Sequence, residues 1–390
     1  MPEPAPQTSP VPATGTVHWI GAGLSTGSGL RVLAEQGSHV TLLARTQDKA
    51  AARLGQLGLT GQVAADAYDP QTLHATVKPG DVVVSMLPAA EHAGLLRLCV
   101  ERGAHFACTS YLSDAIAAGI GAAEQAGIAV LTEAGLDPGI DHLLAHQLVA
   151  QARAAVGDGP ATASFTSYCG GIPAVPNDFK YRFSWAPRGV LSALLEPARY
   201  IGGGQEQDAP RPWEALSTHP LGGEEFEVYP NRDSVPFVAQ YGIPYGWRLD
   251  TFVRGTIRLE GWSEAWSGVF AELRGGDKER IDALARELAE RYPVTDDDRD
   301  RVVLAVALSV QPDQGDSWSG EYLIDLVGDD ADSAMARCVS VPLAFGITEI
   351  LAGQLDPGLH RAAETAAESR RWLEFLAGQG IVATFSGGRP

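Results

Sequence analysis

Short apolar runs alternate with amphipathic segments from residue 16 to about residue 140. Strands are predicted at 17–20, 40–44, 62–65, 81–87, 105–109 and 129–132, and helices at 30–36, 48–57, 70–77, 90–102 and 115–126. The run DVVVSML at 81–87 is apolar almost throughout, which is typical of a strand covered on both faces. A repeated strand–helix order predicts a parallel sheet with right-handed crossovers. The first part of the chain is therefore predicted to be a doubly wound α/β domain.

A region of different pattern follows a helix predicted at 143–156. Strands predicted at 162–168, 179–184, 225–229, 252–259 and 322–328 are separated by loops rich in glycine and proline, which favours a mixed or antiparallel sheet. A helix is expected at 277–292, an acidic linker or helix start at 295–301, helices at 335–352 and 357–375, and a last strand at 380–385. We expect a disordered tail at 1–15, the first domain at 16–140, and a second α/β (α+β) domain at 141–344. The helices of 345–390 are expected to pack back on the first domain.

Composition narrows the classes of partner and compartment. The chain has 390 residues, 45% of them hydrophobic, and a net charge of −19, which argues against nucleic acid and an anionic membrane surface as partners. No apolar stretch approaches the roughly 20 residues that a spanning helix needs. The four cysteines form no CxxC pair, and His142 and His146 have no third ligand, so no metal is expected. A cytoplasmic, reducing location is expected.

The segment GAGLSTG at 21–27 lies between the first strand and the first helix, where a dinucleotide-binding motif belongs. Gly21 permits a tight turn, and Gly23 lets the backbone approach a pyrophosphate. The spacing is GxGxxxG, with Thr26 where the third glycine is usual. Glycine turns also serve packing alone, but this position favours the nucleotide site of a Rossmann domain, with Leu24, Ser25 and Thr26 among its contacts.

The end of the second strand indicates which dinucleotide is bound. A site for NAD usually carries an acidic residue there, but this strand ends Ala44-Arg45-Thr46. Arg45 can pair with a 2′-phosphate and Thr46 can donate a further hydrogen bond, so NADP is favoured and NAD is the alternative. Because ligands bind at the carboxyl ends of parallel strands, further cofactor contacts are expected at strand ends. These are Ala44, Asp66, Leu87, Pro88, Thr109 and Ser110.

Two later segments, TEAGLDPGIDH at 132–142 and SYCGGIP at 167–173, place glycine, proline and polar residues directly after predicted strands. Together with TSY at 109–111, YRFSW at 181–185, RGVL at 188–191, YPNRDS at 229–234 and VRGT at 253–256, they resemble saccharopine dehydrogenase of the glutamate-forming type, or saccharopine reductase. DSAMAR at 332–337 is a weaker match. The resemblance implies a Rossmann domain and a second α/β domain for substrate binding and dimerisation, in a homodimer.

The reaction of that family implies what its site must contain. A hydride passes to NAD(P)+ from the carbon beside the secondary amine of saccharopine, and the imine is hydrolysed to glutamate and aminoadipate semialdehyde. A small amino-acid substrate with several carboxylates and amines needs arginines and acids. The resemblance implies as substrate contacts Ser110, Tyr111, Asp137, Asp141, Ser184, Trp185, Arg232, Val253, Arg254 and Gly255. Asp137, Tyr111 and Cys169 are the catalytic candidates for moving a proton, and no single base is singled out.

Other interpretations stay open at this point. A relative such as a carboxynorspermidine synthase acts on a substrate with fewer carboxylates, and the presence of both Arg232 and Arg254 argues against it. A non-catalytic NADP-binding module would keep Gly21 and Gly23 but could dispense with Tyr111 and Asp137. A group of arginines and aspartates in an acidic protein is also what a structural ion-pair network provides.

Overall fold

The computed structural model describes residues 9–275, 277–295 and 298–388. The chain divides into two compact units. Of the described residues, the first comprises those up to Ile140 together with Ala336–Ala363, and the second comprises those from Asp141 to Met335 and from Glu364 onward. The segment that returns to the first unit, Ala336–Ala363, is shorter and begins earlier than the expected segment 345–390.

The secondary structure contains short parallel strands in the first unit and several long strands in the second. The strands are β1 (Thr16–Ile20), β2 (His39–Ala44), β3 (Ala64–Ala67), β4 (Val82–Ser85), β5 (His105–Cys108), β6 (Ala129–Leu131), β7 (Ala161–Pro173), β8 (Ala198–Gly202), β9 (Gln205–Ala209), β10 (Ser217–Leu221), β11 (Glu224–Pro230), β12 (Trp247–Leu259), β13 (Asp300–Pro312), β14 (Trp318–Val327), β15 (Gly358–His360) and β16 (Thr384–Gly388). The helices are α1 (Gly29–Glu35), α2 (Gln47–Gln56), α3 (Pro70–Thr76), α4 (Ala89–Arg102), α5 (Asp114–Ala117), α6 (Ile120–Gln125), α7 (Ile140–Val156), α8 (Pro187–Leu195), α9 (Phe237–Gln240), α10 (Trp262–Ala265), α11 (Ser267–Gly275), α12 (Lys278–Arg291), α13 (Ala334–Leu351) and α14 (Ala366–Gly378), with a 3₁₀ helix at Pro212–Ala215.

The sheet of the first unit has seven parallel strands in the order β15-β6-β5-β4-β1-β2-β3. The order reverses between β1 and β4, so the crevice for a ligand opens at the carboxyl ends of these two strands. Every residue of β4 is buried, which explains its uninterrupted apolar sequence. The predicted doubly wound α/β domain is confirmed.

Part of the segment predicted to be a disordered tail is ordered along the first unit. The amide of Val11 donates to the carbonyl of Gly127 at 2.8 Å, and the Thr14 hydroxyl donates to Asp81 at 2.6 Å. The disorder prediction is therefore wrong for 9–15, where backbone groups find partners in the folded unit; residues 1–8 lie outside the described residues.

Helix α13 is the one described helix long and apolar enough to cross a membrane. Its mean hydropathy is 1.5, and 61% of it is buried inside the protein, as in the core helix of a folded domain. Its carbonyl at Ser340 lies only 2.1 Å from where a Cβ on Gly29 would stand, so glycine is required where α1 crosses α13.

The second unit is built on a mixed sheet in the order β10-β11-β12-β7-β13-β14-β16, with the β8–β9 hairpin paired to β12. The central strand β7 runs parallel to β12 and antiparallel to β13. Because side chains alternate along a strand, one face of this sheet carries an apolar cluster that includes Tyr168, Val253 and Ile257. The opposite face carries Ser167, Cys169 and Arg254.

Several predicted elements of the two units need correction. The segment 179–184 is irregular and forms no strand. Its alternating aromatic residues Phe179, Tyr181 and Phe183 all pack into one aromatic cluster, and this packing explains the alternating sequence pattern. The acidic stretch 295–301 ends in β13, a long strand that the sequence analysis missed, and Asp296 and Asp297 lie outside the described residues. In the first unit, the helix predicted at 115–126 is interrupted between α5 and α6. The helix predicted at 357–375 begins only at Ala366, after the short strand β15.

Candidate active site

The glycine loop after β1 has the geometry that a dinucleotide needs. Gly21 adopts a φ of +118°, and a Cβ there would lie 2.9 Å from the carbonyl oxygen of Met86. A Cβ on Gly23 would meet no atom within 4 Å, so the backbone borders open space that a phosphate group can enter. These two observations fit a bound dinucleotide.

Thr26 shapes this loop from inside. Its side chain is fully buried, its hydroxyl donates to the carbonyl of Gly21 at 2.7 Å, and it accepts from the indole of Trp19 at 3.2 Å. The Thr26 carbonyl accepts from the guanidinium of Arg53. The side chain of Thr26 therefore stabilises the loop from within, and its contact with the cofactor stays a prediction. Leu24, in contrast, is 41% exposed at the loop surface, and Ser25 is partly exposed.

The residues predicted to select NADP lie at the end of β2. Arg45 is exposed directly after the strand, whereas Ala44 is buried within it. The Thr46 hydroxyl accepts from the amide of Lys49 at 3.3 Å and caps α2. Thr46 thus caps α2, and its predicted hydrogen bond to the cofactor stays a prediction. Asp66, on β3, is exposed.

The ends of β4 and β5 border the same crevice. Leu87 is partly buried against the core of the unit, and Pro88 is the N-cap residue of α4. Thr109 packs against Gly135, whose added Cβ would lie 3.0 Å from the Thr109 Cβ. The Ser110 hydroxyl lies 2.9 Å from Nε2 of the buried His92. His92 is a buried residue of this edge that its sequence context does not indicate; the nearest signal is Ser85, a serine at the end of β4 and seven residues before it.

Tyr111 and Asp137, both predicted catalytic residues, are brought together in the first unit. The Tyr111 hydroxyl donates to Oδ1 of Asp137 at 2.7 Å, and both side chains are partly exposed. Glu133 holds the adjoining loop, since its carboxylate accepts from the amide of Leu112 at 3.0 Å and from Arg361 at 3.1 Å. A phenol next to a carboxylate can hold and pass a proton.

In the second unit, strands β7 and β12 carry Ser167, Cys169 and Arg254 on one face of the sheet, which we call the polar face. Ser167 pairs with Arg254, and Cys169 with Thr256, between β7 and β12. The Ser167 hydroxyl is buried and has no hydrogen-bond partner among the described residues. Cys169 is 8% exposed.

Ser184 lies beside the polar face, next to Gly171 of β7. Its hydroxyl is buried without a partner in the part of the chain that the structure describes, and a Cβ on Gly171 would stand 2.5 Å from it. Buried hydroxyls without a partner are uncommon in native proteins, and they make this stretch of β7 a candidate binding surface.

Asp141 and Arg254 form a buried ion pair, although both were predicted substrate contacts. The guanidinium of Arg254, 1% exposed, lies 2.6 Å from Oδ2 of the fully buried Asp141. Tyr241 donates to the same oxygen at 3.3 Å, and His142 Nδ1 lies 2.9 Å from the Tyr241 hydroxyl. Burial raises the pKa of Asp141, but His142 and Arg254 outweigh burial and hold that pKa well below its usual range. The guanidinium also lies 4.0 Å from the ring centre of Phe237.

Three other predicted contacts do not share the polar face. The side chain of Val253 belongs to the apolar cluster on the opposite face of the sheet, together with Tyr168. A Cβ on Gly255 would stand 2.7 Å from the Tyr168 ring. Trp185 packs partly buried against the aromatic cluster. Alternation along the strand and local packing direct the side chains of Val253 and Trp185 away from the polar face, and the contact of all three residues with substrate stays a prediction.

Arg232, the second predicted arginine, is exposed and has a φ of +56°. Its neighbours fix this conformation, since its carbonyl accepts from the amide of Arg199 at 2.9 Å and the amide of Asn231 donates to the carbonyl of Arg254 at 2.9 Å. Backbone strain of this kind is concentrated at functional sites. Among the described residues, no group of three or more metal-ligating side chains is found.

Two family profiles match this chain. Residues 17–131 match the Saccharopine dehydrogenase NADP binding domain, and residues 135–381 match the Saccharopine dehydrogenase C-terminal domain. The predicted resemblance and the predicted cofactor, NADP, are confirmed by these matches.

Individual relatives agree. The chain is 29% identical to saccharopine dehydrogenase [NADP(+), L-glutamate-forming] of Pyricularia oryzae, over 88% of this chain and 92% of that enzyme. It is 35% identical to the enzyme of that name from Schizosaccharomyces pombe, over 58% of this chain and 50% of that enzyme. The structure superposes on apo saccharopine dehydrogenase (L-Glu forming) from Saccharomyces cerevisiae with a TM-score of 0.79 and 26% identity, covering 95% of this chain and 99% of that one. A homospermidine synthase from Legionella pneumophila shares the fold, with a TM-score of 0.63 and 14% identity over 97% of this chain and 92% of that one.

Proposed function

The chain belongs to the saccharopine dehydrogenase family, and from this membership we propose that it is an NADP-dependent oxidoreductase acting on a CH–NH bond. It cleaves saccharopine to L-glutamate and 2-aminoadipate 6-semialdehyde, or forms saccharopine in the reverse direction. The observation that carries this proposal is the match of both domains in order, with a relative of this activity aligned along nearly its whole length.

NADP, when bound, supplies the hydride acceptor. Gly21 and Gly23 let the backbone approach its pyrophosphate, and Arg45 at the end of β2 binds its 2′-phosphate. The open space at Gly23 and the exposure of Arg45 support these two assignments.

Proton transfer is assigned to the Tyr111–Asp137 pair. A secondary ammonium must lose a proton before its neighbouring carbon can give up a hydride, and the Asp137 carboxylate accepts that proton. The Tyr111 hydroxyl, donating to the same carboxylate at 2.7 Å, keeps it oriented. Cys169, 8% exposed on β7, is proposed as a substrate contact beside Thr256.

Arg232 is proposed to bind a substrate carboxylate. It is exposed, so a substrate carboxylate can reach it, and its backbone is held in a strained conformation by hydrogen bonds on both sides. A bidentate arginine–carboxylate pair gives affinity and orientation together.

We further propose that the protein acts in the cytoplasm and as a homodimer. Four buried cysteines, none of which forms a disulfide within the described part of the chain, support a reducing compartment. Light scattering of the purified protein tests the dimer, and a monomeric mass at micromolar concentration would contradict it.

The activity is tested by mixing the purified protein with saccharopine and either NADP+ or NAD+ and following the absorbance of the reduced nicotinamide. We expect turnover with saccharopine and a lower KM for NADP+ than for NAD+. Tight NADPH binding without turnover of saccharopine would instead indicate a non-catalytic module. Turnover restricted to carboxylated polyamines in the same assay would indicate a different substrate.

The role of Arg232 is tested with R232A, which should raise the KM for saccharopine about tenfold or more because a charge-assisted hydrogen bond is lost. R211A, at another exposed arginine of the same unit, is the matched control and should leave the KM unchanged. An unchanged KM in R232A removes this residue from the site.

A further inference from the structure

His92 joins the ends of two adjacent strands in the first unit. Its Nδ1 lies 2.8 Å from the hydroxyl of Ser85, the last residue of β4, and its Nε2 lies 2.9 Å from the hydroxyl of Ser110, which follows β5. Ser85 pairs directly with Cys108 of β5. His92 and Ser85 are each 1% exposed, whereas Ser110 is partly exposed at the carboxyl edge of the sheet.

The ring of His92 is neutral at physiological pH. Burial lowers the pKa of His92 to about 4. A neutral imidazole donates through one nitrogen and accepts through the other. Ser85, His92 and Ser110 therefore form a chain of two hydrogen bonds, which can run in either of two directions.

The burial of the Ser85 hydroxyl determines the direction in which these hydrogen bonds run. Within the described residues, His92 is the partner of the Ser85 hydroxyl. A buried donor hydrogen left without an acceptor is costly, whereas an unused lone pair costs less. The Ser85 hydroxyl therefore donates to Nδ1, and the proton on the ring resides on Nε2.

This tautomer of His92 determines the orientation of the Ser110 hydroxyl. Since Nε2–H donates to its oxygen, the hydrogen of the Ser110 hydroxyl is directed away from His92. No acceptor for it lies among the described residues, and its partial exposure leaves it accessible to a ligand. With the opposite tautomer, the Ser110 hydrogen would be bound to Nε2 and the serine could only accept.

We propose that His92 is a positioning residue that fixes Ser110 as a hydrogen-bond donor to an oxygen atom of the bound ligand. The inference rests on the proposed function for the identity of that ligand. The oxygen belongs either to the carboxamide of the nicotinamide or to a carboxylate of the amino-acid substrate. Both are acceptors of the same chemistry.

The tautomer is measured directly by nitrogen-detected long-range NMR on protein labelled with ¹⁵N-histidine. The His92 signals are assigned by their loss in H92Q. We expect a protonated Nε2 and an unprotonated Nδ1 at neutral pH, and a shift toward mixed tautomers in S85A. A protonated Nδ1 in the unmodified protein overturns the proposal, and this result does not depend on turnover.

The role of Ser110 as donor is measured with S110A, H92A and the double variant. We expect S110A to weaken ligand binding about tenfold, as expected for one lost hydrogen bond. The double variant should resemble S110A, because His92 acts through Ser110, while H92Q, which keeps an amide donor, should recover part of the loss in H92A. H74A, at an exposed histidine of the same unit, is the control and should behave as the unmodified protein.

Two readouts separate the possible ligands. An increase in the Kd for NADPH in S110A, measured by fluorescence, assigns the acceptor to the dinucleotide. An increase in the KM for saccharopine alone assigns it to the substrate. If S110A alters neither value while the unmodified protein turns over saccharopine, the inference is wrong and the proposed function stands. If saccharopine is not turned over at all, the proposed function fails, and the NMR and NADPH measurements still decide the inference.

Discussion

The buried pair of Asp141 and Arg254 makes a sharp prediction for stability. Asp141→Asn removes the negative charge while keeping the size of the side chain. Arg254 is 1% exposed, so its guanidinium then remains buried without its counter-ion. Breaking a buried pair on one side costs about 3–5 kcal/mol, and we expect D141N to lower the free energy of unfolding of the second unit by that amount.

Urea unfolding followed by tryptophan fluorescence is suited to this measurement, because all tryptophans except Trp19 lie in the second unit. The matched control is D158N, which removes the partner of Arg153 in a pair that is about half exposed. Its expected cost is below about 1 kcal/mol. Replacing both members of the buried pair, as in D141L/R254M, should restore much of the loss. A loss below about 1 kcal/mol in D141N would refute the interpretation of this pair as structural.

The pH dependence provides an independent check of sign. The pKa of Asp141 is held below its usual range in the folded protein, and in the unfolded chain it lies near 3.9. The stabilisation is therefore present above that unfolded value and is lost as pH falls toward the folded pKa. The difference in unfolding free energy between the native protein and D141N should be constant from about pH 5 to pH 8 and shrink below about pH 4.

The remaining predictions concern the first unit. R45A should raise the KM for NADP+ about tenfold to a hundredfold and leave that for NAD+ nearly unchanged, because only the former carries a 2′-phosphate; equal effects on both would contradict the assignment. G23A should fold with an unchanged Tm, since its Cβ meets no atom within 4 Å, yet bind NADPH at least tenfold more weakly in a fluorescence titration, whereas the helix variant G55A should bind normally. D137N should lower kcat about a hundredfold or more across the pH profile, as for loss of a general base, and Y111F should lower it less; the exposed control D114N should match the native enzyme, and a native kcat in D137N would exclude Asp137 as the base.

The fold of the first unit was largely predictable because strands β1 to β6 are marked locally, whereas the edge strand β15 was predicted as part of a helix. β4 is a buried apolar run, and Gly21 is needed both for its positive φ and for its approach to Met86. β13 of the second unit was missed because a long apolar run buried in a sheet has no helical or alternating period. Its first residue, Asp300, was interpreted as part of an acidic linker, but it is 1% exposed and accepts from the amides of Ala334 and Met335. Such a contact over more than thirty residues leaves no local pattern.

The candidate site was predictable to a similar degree. Tyr111 and Asp137 were named from a motif, and the structure brings them within hydrogen-bonding distance in the first unit. Asp141 and Arg254 were named in the same way, but their mutual pairing spans 113 positions and could not be inferred from spacing. His92 was overlooked because a single histidine on a helix carries no signal until the strand ends on either side of it are placed.

The two arginines predicted to bind carboxylates differ in burial, and the exposed Arg232 fits the carboxylate-binding role that we propose for it better than the buried Arg254 does. The exposed Arg232 is accessible to a ligand, whereas a guanidinium buried permanently needs a permanent counter-ion, which Arg254 has in Asp141. The two are connected through the backbone. Arg254 accepts from the amide of Asn231 and donates its own amide to the Ser234 hydroxyl at 2.9 Å, so it anchors both ends of the turn that contains Arg232. Both contacts use main-chain atoms of Arg254, so strand β12 holds the turn of Arg232 through its backbone, and a substitution of the Arg254 side chain leaves these hydrogen bonds in place.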